Sequence, residues 1–153
     1  MTVETGGFVV CRGGGIWRVI RTDSSGCTLR EQDTGFLKDL APDTDEIIRP
    51  IASREVLLDA VSRVGYIRTI QAPNDKLRRE LYEEAMAQYD EIEWIRVIKT
   101  VYLRGQEMPL SPEESAYGEQ AKRFFHGELS AALDISMDQV EGYITAAVSK
   151  DSW

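Results

Sequence analysis

One histidine and two cysteines are the side chains of this sequence that catalysis would most readily use. His126 follows Phe124 and Phe125 and precedes Gly127. A general base needs an orienting partner, and a hydrolase also needs an activated nucleophile. The sequence contains no Gly-x-Ser-x-Gly elbow, phosphate-binding loop or dinucleotide fingerprint. We therefore interpret His126 as a packing or capping residue and expect no enzyme activity and no small-molecule substrate.

The two cysteines and the acidic runs also have simple structural interpretations. Cys11 and Cys27 fall on neighbouring predicted strands, where they could face one another. We interpret the two cysteines as buried thiols in a reducing cytosol, and the alternative is that they form a redox pair. The runs 83–84 and 90–93 alternate with apolar residues, as solvated helix faces do. We expect no metal, no cofactor, no membrane partner and a cytoplasmic location, since no signal peptide or apolar span is present.

Basic residues cluster in the second half of a chain that is acidic as a whole. The 153 residues include 18 Lys plus Arg against 26 Asp plus Glu, a net charge of −8. Two interpretations stay open for the cluster, a solvated surface or a patch that contacts phosphates without reading sequence. Its members are Lys76, Arg78, Arg79, Arg96, Lys99, Arg104, Lys122 and Arg123.

Residues 128–148 have the pattern of a helix-turn-helix, which gives an alternative function as an autonomous DNA-binding factor. A recognition helix should present Arg, Lys, Asn or Gln to bases and phosphates. This segment presents Asp138, Gln139 and Glu141 instead. Two helices packed at an angle are the preferred interpretation.

Glycine-rich turns and β-type runs predict a small sheet in the first part of the chain. Seven of the twelve glycines fall in residues 1–35, and glycine allows the positive φ that tight turns require. The Gly13–Gly15 run leads into a strand rather than a helix, so it predicts a turn and not a phosphate cradle. The predicted strands are residues 8–11, 16–22, 27–31 and 46–51.

Helical signals dominate from Arg54 onward. Helix starts are predicted near Ser53, Asn74, Asp90, Ser111 and Ser136, and the Asp90 carboxylate is expected to accept the Glu93 amide hydrogen. Trp94 is expected to pack between helices. The predicted fold class is α+β in two small modules, an N-terminal SH3/Tudor-like antiparallel β-sheet and a compact C-terminal helical bundle. The predicted divisions are residues 1–63 for the sheet module, 64–73 for a connector and 74–153 for the helical module.

Several segments, in order along nearly the whole chain, resemble the CarD/CdnL/TRCF family of bacterial regulators that bind RNA polymerase. The second half is the more specific part of the resemblance. The segments are residues 7–19, 48–57, 74–79, 90–104 and 110–129.

The resemblance implies a transcription regulator that reads no DNA sequence. In this family the Tudor-like domain docks on the RNA polymerase β subunit, largely through its sheet, and the helical domain contacts promoter DNA at the upstream edge of the transcription bubble. The residues that the resemblance places against the polymerase are Ile16, Arg18, Arg21 and Arg30. Those it places against DNA are Lys76, Arg78, Arg79 and Lys122.

The net charge of −8 bears on how strong the DNA contact can be. Neither predicted module is basic, so we expect weak DNA contact through a local patch. Delivery by polymerase raises the effective concentration of DNA, and modest intrinsic affinity then suffices. A third possibility is an interaction module without a DNA role.

Overall fold

A computed structural model describes residues 3–148 and shows a five-stranded antiparallel sheet followed by helices. This confirms the predicted fold class. The last five residues of the predicted helical module lie outside the described range. The elements are β1 (Phe8–Cys11), β2 (Ile16–Asp23), β3 (Gly26–Glu31), β4 (Leu37–Leu40), β5 (Ile47–Pro50), α1 (Arg54–Ser62), a 3-10 turn (Val64–Tyr66), α2 (Asp75–Met86), α3 (Glu91–Glu107), α4 (Pro112–Leu133) and α5 (Met137–Ala147).

The sheet has the order β4-β3-β2-β1-β5, and tight turns join its sequential strands. Gly14 and Gly15 adopt φ values of 116° and 79° in the β1–β2 turn, where a side chain would be strained. One face of the sheet encloses its own apolar cluster. The buried members of that cluster are Val9, Cys11, Trp17, Val19, Cys27 and Leu29.

Side-chain caps start most helices where the sequence predicts them. Ser53, Asn74 and Ser111 each accept a hydrogen bond from the backbone amide three residues later. The predicted cap at Asp90 differs in register, because its carboxylate accepts from the Ile92 amide at 3.1 Å rather than from Glu93.

A second, larger core joins the helices to the sheet. It includes Val10 and Ile16 from the sheet, together with buried residues of all five helices. α1 packs against α3, α4 and α5. Val64 and Ile67, in the predicted connector, are 0% and 6% exposed in the same core. The divisions at 63 and 73 stay predictions, but the residues around them pack as part of one continuous interior.

Helix α4 lies directly against the sheet. Gly127 faces Ile16 of β2 so closely that a Cβ atom at Gly127 would lie 2.6 Å from Ile16 Cγ1. Beside this contact, Arg123 of α4 donates to both carboxylate oxygens of Glu31 at 2.7 Å. Glycine at 127 therefore permits a close approach that a side chain would prevent.

A buried ion pair, here called the inter-module clamp (Arg49, Ala52 and Glu128), fixes β5 and the start of α1 to α4. Arg49 Nη1 and Nη2 each lie 3.0 Å from one oxygen of the Glu128 carboxylate. The Ala52 amide donates to the same carboxylate at 2.6 Å, and Arg49 Nε donates to the Tyr89 carbonyl oxygen at 2.8 Å. Glu128 is fully buried. Bidentate pairing with a third donor satisfies a charge that would otherwise be costly to bury.

Within residues 3–148, no helix is long and apolar enough to cross a membrane.

Candidate functional site

The outer face of the sheet carries a row of side chains that we call the arginine face (Phe8, Arg18, Arg30 and Leu37). Strand pairing places Phe8 opposite Arg18, Arg18 opposite Arg30, and Arg30 opposite Leu37. Residues directly opposite one another on paired strands share a sheet face. The Arg18 guanidinium carbon lies 5.9 Å from the centre of the Phe8 ring. The row therefore combines two cations with two apolar side chains.

The two arginines of this row are exposed, and neither forms a salt bridge within the described residues. Like charges directly opposite on neighbouring strands destabilise a sheet. The Arg18–Arg30 pair is therefore unfavourable in the free protein, and an acidic partner would relieve the repulsion.

Arg21 lies on the same outer face, beside the β2–β3 hairpin. Its guanidinium forms an ion pair with Asp23 and donates to Thr28 Oγ1 at 3.1 Å. Thr28 in turn donates to Asp39 at 2.5 Å. Arg21 is therefore part of a polar network whose charge is partly neutralised.

Ile16 differs from the three arginines, because it is 1% exposed and packs against Gly127. Its side chain helps to join the sheet to α4 and is covered there, and its contact with the polymerase stays a prediction. Strand pairing puts Ile16 on the same sheet face as Arg18, and α4 covers that part of the face, which the sequence does not show.

The predicted DNA contacts at the start of α2 differ in how freely they can reach a phosphate. Lys76 is exposed and has no salt bridge within residues 3–148. The Arg78 side chain is only 14% exposed and pairs with Asp75 at 2.7 Å. Arg79 is exposed and pairs with Glu113 at 3.1 Å. Exposed pairs of this kind are weak, so Lys76 and Arg79 are the residues most available to phosphates.

Arg78 and Arg79 line an open groove of about 340 Å³ between α2 and the loop that leads into α4. Arg104 of α3, which the sequence analysis includes in the basic cluster, lies in the same groove and donates to Glu114 at 2.5 Å. Asp75, Glu113 and Glu114 also line it. The groove is thus balanced in charge rather than cationic.

Lys122 lies apart from the other predicted DNA contacts. It is nine residues beyond Glu113, about two and a half helical turns, so the two residues point to opposite sides of α4. Its ammonium group lies 3.6 Å from the Glu141 carboxylate of α5. The structure therefore brings Arg78 and Arg79 together and places Lys122 on a separate surface.

α5, the second helix of the candidate helix-turn-helix, buries Val140 and Ile144 against the bundle. Its exposed positions include Asp138, Gln139 and Glu141. An acidic outer face repels phosphates, so this helix is poorly suited to a DNA groove.

The cysteines lie on β1 and β3, which β2 separates, so the expectation of neighbouring strands is wrong. Both thiols are free and buried. Burial raises the pKa of Cys11 to about 12, which keeps this thiol protonated and poorly nucleophilic near neutral pH. Within the described residues, no three His, Cys, Asp or Glu side chains form a group that could hold a metal ion.

His126 is 6% exposed on α4, and its Nε2 atom has no hydrogen-bond partner within the described residues. Burial lowers the pKa of His126 from 6.5 to about 4, against the opposing charge of Glu141. The imidazole is therefore neutral in the folded protein at neutral pH. This environment agrees with the interpretation of His126 as a packing residue.

The buried imidazole should make stability depend on pH. Unfolding restores a pKa near 6.5, so the unfolded state binds a proton more readily than the folded state as pH falls below that value. The free energy of unfolding should fall by about 2 kcal/mol between pH 7 and pH 5 from this group alone. Urea denaturation at both pH values measures the loss. His126→Leu should lack this component, because the chain has one histidine. If the free energy of unfolding depends equally on pH in the wild type and in His126→Leu, the lowered pKa of His126 is contradicted.

The fold and its surfaces define an α+β protein in which a five-stranded sheet and a helical bundle are joined, each presenting cationic side chains. A family model described as CarD, C-terminal domain matches residues 67–145, from the buried Ile67 through most of α5. The match covers more than half of the chain, so the chain belongs to the CarD family, as the resemblance indicates. The protein is therefore a CarD-like transcription regulator. No curated protein matches the chain.

Proposed function

We propose that this protein regulates bacterial transcription without catalysis, by binding the RNA polymerase β subunit and contacting promoter DNA independently of its sequence. The arginine face would bind the polymerase, and Lys76 and Arg79 would contact DNA phosphates. The observation that carries the proposal is the Arg18–Arg30 pair, which forms no salt bridge within residues 3–148 and is flanked on one sheet face by Phe8 and Leu37.

The chemistry of this face fits a protein partner with an acidic surface. Interfaces favour arginine and aromatic side chains at their centres. Leu37 is 61% exposed and its neighbour Phe36 is 70% exposed, which adds apolar area at the end of the row. An acidic partner would offset the repulsion between Arg18 and Arg30, and the apolar residues would lose their contact with water.

The DNA half of the proposal is consistent with the overall acidity of the chain. A protein of net charge −8 gains little from long-range attraction to DNA. Once polymerase holds it beside the promoter, a few phosphate contacts suffice, because the second contact becomes intramolecular. We propose that polymerase supplies the position and that the helices add local contacts.

The polymerase contact is tested by reversing both charges of the arginine face, as Arg18→Glu with Arg30→Glu. Affinity for core RNA polymerase, and for its isolated β lobe, should fall about 100-fold or more, since central arginines are often binding hot spots. Arg54→Glu is the matched control, because Arg54 is exposed on α1 and outside the row. Biolayer interferometry measures both affinities.

Two results would overturn parts of the proposal. If the unmodified protein fails to bind polymerase at micromolar concentration, or if Arg54→Glu weakens binding as much as the double variant, the arginine face is not the docking surface. If polymerase binds but promoter opening is unchanged when Lys76, Arg78 and Arg79 are all alanine, the protein is an interaction module without a DNA role at α2.

A further inference from the structure

The outer face of α2 carries two leucines that are open to solvent. Leu77 and Leu81 are 40% and 36% exposed, and their spacing of four residues places them in one stripe along the helix. The buried face of α2 is a different one, formed by Tyr82, Ala85 and Met86. α2 is therefore attached to the bundle by another face, and the stripe remains available to a partner.

The stripe continues into an open groove of about 400 Å³ between α2 and the start of α3. Leu81, Ala85 and Ile70 form its apolar lining, and the latter two are 5% and 9% exposed. The Ile70 amide donates to Thr100 Oγ1 of α3 at 2.8 Å, which fixes the backbone at this point. The groove therefore has an apolar floor that is already formed in the free protein.

Carboxylates border the stripe and the groove. Glu80 and Glu84 are exposed on α2, and neither forms a salt bridge within residues 3–148. Asp90 lines the same groove and caps α3. Glu93, on the α3 side, pairs with Arg96 at 3.2 Å. The border is therefore acidic, and its two α2 carboxylates are available to a partner.

We propose that this surface, here called the leucine groove (Ile70, Leu77, Glu80, Leu81 and Glu84), binds a basic amphipathic helix of a protein partner. An amphipathic helix lays apolar side chains into a hydrophobic groove at spacings of three, four and seven residues. Lysine or arginine beside those side chains would pair with Glu80 and Glu84, as flanking charges do between paired helices.

The charge of the leucine groove selects this partner over two others. Nucleic acid is disfavoured, because Glu80 and Glu84 would repel its phosphates. A second copy of this chain is disfavoured as well, because two acidic surfaces would meet and like charges across an interface oppose binding.

The leucine groove lies largely apart from the residues proposed to contact DNA. Arg79 precedes Leu81 by two residues, about 200° around the helix, and pairs with Glu113 on that other side. Lys76 lies one turn before Glu80, at the edge of the groove. The inference goes beyond the proposed function, and its test contains neither polymerase nor DNA.

The test measures binding of the full chain to a fluorescein-labelled model peptide by anisotropy. The peptide has about 18 residues, enough to form a helix, with leucines along one face and lysines on either side of them. One control peptide carries glutamate in place of every lysine, and another has the same composition with its leucines spread around the helix. The basic amphipathic peptide should bind with a Kd of about 100 µM or tighter, and both controls at least about 10-fold more weakly.

Replacing the two leucines tests the apolar part of the contact. Leu77→Ser combined with Leu81→Ser should weaken binding of the basic peptide at least about 10-fold. Val56→Ser is the matched control, because Val56 is 45% exposed on α1 and outside the groove. This control should bind the peptide within about twofold of the wild type. Far-UV circular dichroism checks that both variants keep the helical content of the wild type.

Reversing the two carboxylates tests the charge contact. Glu80→Lys combined with Glu84→Lys should also weaken binding at least about 10-fold. Glu119→Lys combined with Asp138→Lys is the control of equal net charge, because both carboxylates are exposed and lie outside the groove, on α4 and α5. This control should stay within about threefold of the wild type, since it changes only the long-range attraction.

Four outcomes would overturn the inference. The basic peptide fails to bind at about 1 mM, the three peptides bind equally, or the charge control loses as much affinity as the Glu80 and Glu84 variant. In the fourth, the unmodified chain self-associates in sedimentation and the double leucine variant does not, which would make the groove an interface between copies. None of these results bears on the arginine face.

Discussion

Replacing Glu128 by alanine should lower the free energy of unfolding by about 3–5 kcal/mol. Glu128 is fully buried and accepts hydrogen bonds from Arg49 at 3.0 Å and from the Ala52 amide at 2.6 Å. Its removal leaves the Ala52 amide without its acceptor, and it leaves the Arg49 guanidinium with Glu91 at 3.6 Å and the carbonyl oxygens of Tyr89 and Pro50. The cost therefore combines the lost hydrogen bonds with the weaker pairing of the Arg49 charge, which keeps only the more distant carboxylate of Glu91.

A double variant separates these two costs. Arg49→Met combined with Glu128→Leu removes both charges and keeps similar volume, so most of the lost stability should return. Urea denaturation of the wild type, Arg49→Met, Glu128→Leu and the double variant completes a thermodynamic cycle. A loss below about 1 kcal/mol in Glu128→Ala would show that the clamp does not join the modules energetically.

Trp94→Ala should destabilise the protein by about 3–5 kcal/mol through the cavity it leaves. Trp94 is 0% exposed and stacks on Phe124 of α4, with ring centres 4.7 Å apart and an angle of 6° between the planes. The Arg49 guanidinium lies over its other side, 5.3 Å from the ring centre. The same substitution therefore also removes the surface on which the clamp arginine rests.

Two controls make the Trp94 result specific. Trp94→Phe should cost less, because it keeps an aromatic ring and because the indole Nε1 has no hydrogen-bond partner to lose within the described residues. Tyr102→Ala changes an exposed aromatic of the same helix and should stay within about 0.5 kcal/mol. Equal effects of the Trp94 and Tyr102 alanine variants would contradict a packing role for Trp94.

Local signals in the sequence predict most of the elements of this fold. Glycine turns and alternating residues indicate four of the strands, and Ser, Asn and Asp residues mark the helix starts. β4 is missed because none of its residues is buried, and Leu37 points to solvent rather than to a core. The Asp90 cap differs by one residue, a distinction that side-chain geometry decides and residue types do not.

The candidate sites are less predictable because they depend on contacts between distant residues. The sequence shows that Arg79 is basic, but not that Glu113 lies 3.1 Å from it. Alternation places Ile16 and Arg18 on one sheet face, but only the position of α4 shows that the first is covered and the second is open.

The inter-module clamp also has a consequence for folding during synthesis. Arg49 precedes Glu128 by 79 residues, so at ordinary translation rates it emerges roughly 4–16 s earlier. During that interval the sheet is already complete in sequence, yet α4, whose Gly127 packs on Ile16, has not been made. The nascent chain therefore exposes the surface of Ile16, and Arg49 lacks its bidentate partner, until α4 is made. A trigger-factor-type chaperone that shields nascent chains would have its greatest effect in this window.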